Sequence, residues 1–363
     1  MTDRLRVLLV SAEWPRRDGE HVGGVARSTF RLAGALAPLV DLTVATMSDP
    51  APIPGVELVE LGRSPSRWWR YYRLPLTMRG ALDATRFDVV HSMGDDWALR
   101  LAGRPLVRTF HGSSWREARS SRGVRRLNHV VLAGLEHLGG RRAAVRIGVG
   151  ADSLREFRCD RFMPPVAPVA RPPVDRSAAP TFAFVGSYEG RKRGHLAAAA
   201  VRAAGGAATL HVVGPADDAA RWGPGVVHHA GLDDDAVLRV VASSWALLAP
   251  SAYEGFGIPM FEAAAMHVPV VATPNPGSEL LDERLRGTGA LRLVEPDALA
   301  AAVDAIVRAG PAGPALDHAA IDRAVADLVA GAAADTLVRE VYEPLAARGP
   351  GVRTRTRRGR SLA

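Results

Sequence analysis

The chain has 363 residues, a formal net charge of +8 and 47% hydrophobic residues. That length favours two domains, and that apolar content supports a sizeable core and excludes a wholly disordered chain. The single cysteine, Cys159, excludes an intramolecular disulfide framework and fits a reducing cytoplasm. No apolar run approaches the roughly 18 residues of a bilayer-crossing helix.

In chain order, residues 4–11 imitate a secretory leader, but their apolar core is short and leads into charged residues, so they read as a strand. Strands are predicted over 5–10, 42–46, 56–60, 88–91, 106–110 and 144–149. Helical spacing falls between them at 25–37, 65–74, 97–102 and 124–138. In the last, Val124, Leu127, Val131, Leu135 and Leu138 share one face, which is expected to cover the sheet. Six prolines between Pro164 and Pro180 make an extended connector. The alternation then restarts: strands 181–185, 209–213, 246–249 and 268–272, helices 191–204, 234–242 and 259–267, and mostly helix over 296–347. Strands alternating with helices imply parallel sheets covered on both sides. The predicted organisation is a domain at 1–163, a linker at 164–180, a second domain at 181–330, a final helix at 331–347 crossing back to the first domain, and a basic, disordered tail at 348–363.

Charge is divided accordingly. Residues 1–176 carry +10, residues 177–347 carry −8 and the last sixteen carry +6. Of the basic residues only Lys192 is lysine, so abundant arginine reflects coding bias as much as phosphate chemistry.

Chemistry concentrates in a few segments. Pro250-Ser251-Ala252-Tyr253-Glu254-Gly255-Phe256-Gly257-Ile258-Pro259-Met260-Phe261-Glu262 leaves an apolar strand and opens a helix. Gly255 and Gly257 permit a sharp turn, Pro259 suits a helix start, and free amides at that start attract oxyanions. Two carboxylates, Glu254 and Glu262, can accept hydrogen bonds from vicinal hydroxyls, as on a sugar and a ribose. Glu262 is expected near the first turn. Gly186 ends the strand at 181–185, and Arg191, Lys192 and Arg193 follow it. Cations crowded at a helix start call for an anion such as a diphosphate. Gly23-Gly24 precede the first helix, and His111 closes the strand at 106–110; His91, also at a strand end, reads as structural.

The spacing Glu254-x7-Glu262 resembles the signature of glycosyltransferase family 4, retaining enzymes of the GT-B fold. The stretch 264–273 and the step Glu279-Leu280-Leu281 continue the likeness, which is strong over 181–285 and patchy over 1–165. It implies two doubly wound Rossmann-like domains facing across a cleft. It also implies that Glu254 touches the transferred sugar, Glu262 the ribose and Gly23-Gly24 the donor phosphates, with His111 at the active site near the sugar. Ser187 stands where the family carries arginine, so the diphosphate falls to Arg191, Lys192 and Arg193 collectively. Gly150 replaces a common serine, and Pro164-Pro165 a common Asn-Gly.

The activity implied is retaining, metal-independent transfer from a UDP- or GDP-linked sugar to an acceptor hydroxyl, with no cofactor and no metal. The acceptor would be a small molecule, a glycan or a lipid-linked species. Natural-product, polysaccharide and envelope glycan synthesis are the expected settings, in the cytoplasm. Peripheral contact with an anionic membrane is a further option, through aromatics at 68–72 and Arg67, Arg70 and Arg73. Soluble action weighs more, since that helix must also cover the sheet. Rival readings are a noncatalytic nucleotide-sugar-binding protein, a nucleotide-sugar epimerase, and a nucleic-acid binder using the basic half. No nucleic-acid module supports the last, and no nucleic-acid partner is expected.

Overall fold

The computed structural model describes residues 4–17, 23–63, 66, 68–120, 123–205, 208–311 and 313–349. They form two compact units. One holds the residues up to Ala167 and those from Gly331 on; the other is Pro168–Ala330. The division falls inside the proline-rich stretch.

The first unit is built on seven parallel strands: β1 (Arg6–Val10), β2 (Asp41–Thr46), β3 (Glu57–Glu60), β4 (Val89–Ser92), β5 (Leu106–Phe110), β6 (Val145–Gly148) and β7 (Arg161–Phe162). Their order is β3-β2-β1-β4-β5-β6-β7. Alternate residues of β1 serve opposite faces. Val7 and Leu9 join one core cluster and Leu8 and Val10 another. The first cluster includes Leu337, Val341 and Tyr342, so the segment after Gly331 packs on this unit.

The second unit carries six parallel strands: β8 (Thr181–Val185), β9 (Thr209–Val213), β10 (Val226–His229), β11 (Ala246–Ala249), β12 (Val270–Ala272) and β13 (Leu291–Leu293). The order β10-β9-β8-β11-β12-β13 reverses between β8 and β11, as the first sheet reverses between β1 and β4. At such switch points the loops leaving neighbouring strands diverge and open a crevice at the carboxyl ends.

Several predicted elements are corrected. Residues 97–102 form turns rather than a helix; Trp97 instead donates its indole N–H to the Tyr71 carbonyl at 3.1 Å. The predicted 65–74 helix is a π-helical turn, Trp69–Arg73, running into a helix at Leu74–Ala81, while Ser64, Pro65 and Arg67 lie outside the described residues. The helix over 191–204 is a 3₁₀ turn, Gly190–Lys192, a left-handed Arg193 (φ 51°), then Gly194–Ala203. Of the tail expected at 348–363, residues 350–363 lie outside the described residues. The helix Gly123–Arg142 forms, but its apolar face points outward: Val124, Leu127, Val131 and Leu138 are exposed, while His129, Leu132, Ala133, Gly139 and Gly140 are buried.

Candidate functional site

In the second unit the loops leaving β8 and β11 interlock. The Ala252 amide donates to the Arg191 carbonyl at 2.7 Å, joining the basic turn to the Glu254 loop. Gly186 ends β8 with φ 151°. A Cβ there would lie 2.8 Å from Lys192 Cγ, so glycine is what lets the lysine side chain lie across the strand end.

Glu254 is the electrostatic centre of this crest. It is buried, and its Oε1 accepts from Lys192 Nζ and from Ser251 Oγ, each at 2.7 Å. Its Oε2 accepts from Arg191 at 2.8 Å. Burial alone would raise its pKa. The charges of Lys192 and Arg191, with the hydrogen bonds from Lys192 and Ser251, overcome that and hold the carboxyl at about 2. Glu254 is therefore an anion at any physiological pH.

The loop is held from behind. Thr273 Oγ1 donates to the Ser251 carbonyl at 2.9 Å, and Asn275 Nδ2 donates to the same oxygen at 3.1 Å. Asn275 also caps the helix Pro276–Arg284. Gly277, in its first turn, lets that helix approach: a Cβ there would lie 2.9 Å from Glu254 Cβ. Ser251, Thr273, Asn275 and Gly277 share no spacing that marks them as a group, because their role is visible only once β12 lies beside β11.

The three predicted cations separate. Lys192 is largely buried against Glu254, and Arg191 stays half exposed. Arg193 is spent on the framework: it donates to the Pro250 carbonyl at 2.6 Å and to Thr273 Oγ1 at 2.9 Å. Arg193 thus differs from Arg191 and Lys192 in that its guanidinium is held by the framework rather than by Glu254. Its left-handed backbone reverses the chain between the 3₁₀ turn and the following helix, so the basic residues precede that helix rather than open it.

Gly257 caps the helix Ile258–Ala265 with φ 91°, and any Cβ there would collide with Met260. Gly255 and Ile258 are half-buried, and Phe256 packs inward at 6.2 Å from Phe261. Glu262 is buried and sits in the second turn of this helix, one turn deeper than expected.

In the first unit the loop after β1 carries Glu13 and the loop after β4 carries Asp95, and Arg70 joins them. Its guanidinium donates to Glu13 at 2.6 Å and to Asp95 at 3.4 Å. Burial lowers the Arg70 pKa, but the two carboxylates outweigh it and raise the value above the usual arginine range. Arg70 thus turns inward, which breaks the basic face expected of Arg67, Arg70 and Arg73. Gly23 caps the helix that begins at Gly24; a Cβ on Gly23 would lie 3.7 Å from Glu13. The amides opening that helix are among those with no intrahelical acceptor.

His111 follows β5. Burial lowers its pKa to about 4 against the raising charge of Glu13, so it is neutral, and its buried Nε2 has no hydrogen-bond partner among the described residues. His91 differs: Nδ1 lies 2.6 Å from the Tyr342 hydroxyl and Nε2 2.8 Å from the Thr109 hydroxyl. Burial and the neighbouring His111 lower its pKa to about 3. Both of its ring nitrogens are therefore engaged by protein hydroxyls. Among the described residues no group of three His, Cys, Asp or Glu side chains could hold a metal.

Solved structures share this architecture across nearly the whole chain. Sucrose-phosphate synthase from Thermosynechococcus elongatus matches with a TM-score of 0.77 at 20% identity, covering 95% of this chain and 100% of that one. Anabaena HepE, solved with UDP-glucose, matches at 0.68 and 14% identity, covering 94% and 100%. WaaG, a glycosyltransferase of lipopolysaccharide biosynthesis, matches at 0.66 and 16% identity, covering 93% and 99%. No curated protein matches the sequence. The fold is GT-B: two Rossmann-like α/β domains. Residues 22–176 match the family model described as Glycosyltransferase Family 4, and residues 179–309 match Glycosyl transferases group 1. The chain belongs to the family 4 glycosyltransferases and is a glycosyltransferase enzyme.

Proposed function

We propose that the protein transfers a sugar from a UDP- or GDP-linked donor to an acceptor hydroxyl with retention of configuration. The observation that carries the reading is Glu254: an ionised carboxylate held by Lys192, Arg191 and Ser251 where β8 and β11 diverge. In this reading Arg191 and Lys192 take the diphosphate. Glu262 receives the ribose hydroxyls, and Glu254 receives hydroxyls of the transferred sugar. Phe256, Gly257 and Ile258 shape the turn between the two carboxylates.

The reaction breaks the bond between the anomeric carbon and the diphosphate oxygen and joins that carbon to the acceptor oxygen. Attack comes from the face the diphosphate leaves, and the acceptor proton passes to the departing phosphate. The chain's contribution is positioning and stabilisation of the developing diphosphate charge. Arg191 and Lys192 supply the positive charge that offsets it, which supports a metal-independent reaction with no further cofactor. Neutral His111 offers a buried ring nitrogen as a hydrogen-bond partner for a substrate hydroxyl. A small molecule, a glycan or a lipid-linked species would serve as acceptor, in natural-product, polysaccharide or envelope glycan synthesis. A nucleotide-sugar donor and a single cysteine fit action in the cytoplasm.

A binding panel of UDP, GDP and their sugar conjugates, followed by NMR of the product's anomeric configuration, tests the reading. No stabilisation by any nucleoside diphosphate, or an inverted product, would refute it. A ligand at 100 times its dissociation constant adds about 2.7 kcal/mol of stability, enough to register in melting experiments.

A further inference from the structure

The helix Gly123–Arg142 has its polarity reversed relative to an ordinary surface helix. Its inward face carries His129, Glu136, Gly139 and Gly140. Glu136 accepts from the Ser114 amide and hydroxyl at 3.1 and 2.6 Å, and Gly140 packs on Phe110 of β5. Its outward face carries Val124 and Leu127, 85% and 67% exposed, followed by Val131 and Leu138. These positions recur at three, four and seven residues and form one continuous stripe. Gly139 and Gly140 sit on β5, and Val124 lies about 22 Å further along the axis at 1.5 Å per residue. The opening turns therefore run past the strand that anchors the helix.

Two exposed tryptophans lie on segments that touch this helix. Trp115, on the adjoining helix Ser114–Ser120, is exposed, with the Arg119 guanidinium 5.9 Å above its ring. Trp68, 66% exposed, packs on Tyr72, whose hydroxyl donates to Asn128 Oδ1 at 2.7 Å, so this indole stands beside the same turns. The surrounding charge is one-sided. Arg119, Arg125 and Arg126 are exposed, and the only acid between 114 and 131, Glu117, lies 3.6 Å from His129. A twofold contact between copies of this face would bring the same arginines together. An anionic surface would satisfy them.

We propose that this face docks on an anionic lipid bilayer: the stripe of Gly123–Arg142, with Trp115 and Trp68, enters the headgroup–acyl boundary, and the arginines meet the lipid phosphates. The occupant is the membrane surface itself, and the proposal does not depend on which sugar is transferred.

The test uses the full chain in co-sedimentation with vesicles, either pure phosphatidylcholine or an equimolar mixture with phosphatidylglycerol, at low and high salt. Wild type is expected to sediment with the anionic vesicles at low salt and to be released at high salt. Val124→Ser, Leu127→Ser and Val131→Ser combined should lower the partition coefficient by roughly tenfold or more. These side chains are solvent-exposed, so the unfolding curve should match wild type. Arg125→Gln with Arg126→Gln should cost about fivefold for each charge removed. Absence of wild-type sedimentation at low salt overturns the proposal, as does equal sedimentation of the triple serine variant. Sedimentation velocity separates the rival occupant. A concentration-dependent dimer that the triple variant abolishes, without vesicle binding by wild type, would make the face a protein interface and overturn the lipid assignment.

Discussion

Replacing Glu254 by glutamine should damage transfer and stability together, and the two losses have separate causes. The substitution keeps the side-chain shape and removes the charge that Lys192 and Arg191 neutralise. Moving the carboxyl from an ordinary 4.5 to about 2 corresponds to roughly 3 kcal/mol at 1.36 kcal/mol per pKa unit. Breaking one side of a buried pair costs about 3–5 kcal/mol. The lower end applies here, because Arg191 is half exposed and can turn to water while Lys192 cannot. A loss of about 3 kcal/mol leaves most domains folded, given total stabilities of about 5–15 kcal/mol. Denaturant unfolding should therefore show a lower midpoint with an unchanged slope. The linkage has a definite sign. A depressed carboxyl pKa stabilises fully above the unfolded value near 4.5, and that stability is lost as pH falls toward 2. The glutamine variant should lack this acid-side loss. Sugar transfer at saturating donor should fall by about 10²–10³, the scale seen when one pre-aligned polar group is removed, while UDP or GDP still binds. Near-wild-type turnover would refute the sugar role, and an unchanged midpoint would refute the ionic lock.

Removing both Arg191 and Lys192 as alanine should weaken nucleoside diphosphate binding more than binding of the bare nucleoside in calorimetric titrations, whereas Arg193→Ala should lower the unfolding midpoint through its lost bonds to Pro250 and Thr273; equal losses of both ligands would remove the cations from the phosphate site. Glu262→Ala should weaken nucleotide binding by about 1.5–3 kcal/mol, the worth of charge-assisted hydrogen bonds, and an unchanged dissociation constant would exclude ribose contact. His111→Ala should reduce turnover more than donor affinity, and a normal turnover number would return the residue to a structural role. His91 and His111 are held neutral with pKa values of about 3 and 4. Their contribution to stability is full above the unfolded value near 6.5 and declines below it, by about 1.4 kcal/mol per pH unit for each histidine. In His91→Leu the slope of unfolding free energy between pH 6 and 4 should shrink; an unchanged slope would show that His91 does not bind a proton on unfolding.

Much of the donor-side architecture was legible because its signals are local. Apolar runs ended by glycine or proline mark β8, β9 and β11 with the residues the structure shows, and the paired glutamates sit where a strand–turn–helix must place them. The cations were harder. Charge and spacing group Arg191, Lys192 and Arg193, yet only the left-handed turn at Arg193 decides that the third faces the framework. The short strands β7, β10 and β13 carry two to four residues with arginine or histidine among them, too little pattern to mark a strand. They are strands because a neighbouring strand offers them a ladder. Glu13, Asp95 and Arg70 come from three distant segments and meet at a switch point of the first sheet. No spacing rule connects residues 25 and 57 positions apart.

Helix Gly123–Arg142 shows why a correct period does not supply a direction. Its apolar repeat is real, and such a stripe ordinarily faces the core. What reverses it lies in β5, where Arg108 is buried and ion-paired with Asp96. A buried guanidinium needs a polar, close-fitting cover. Burial lowers the Arg108 pKa to about 10 against the raising charges of Glu136 and Asp95. Burial also raises Glu136 to about 7, against hydrogen bonds from Ser114 and the charge of Arg108. The helix must therefore present Glu136 to that charge and Gly139 to the space beside it, where any Cβ would collide with Arg108. Once that face turns inward, geometry sends Val124, Leu127, Val131 and Leu138 outward. The exposed stripe follows from the polar centre beneath the helix, with the buried Arg108 setting its direction.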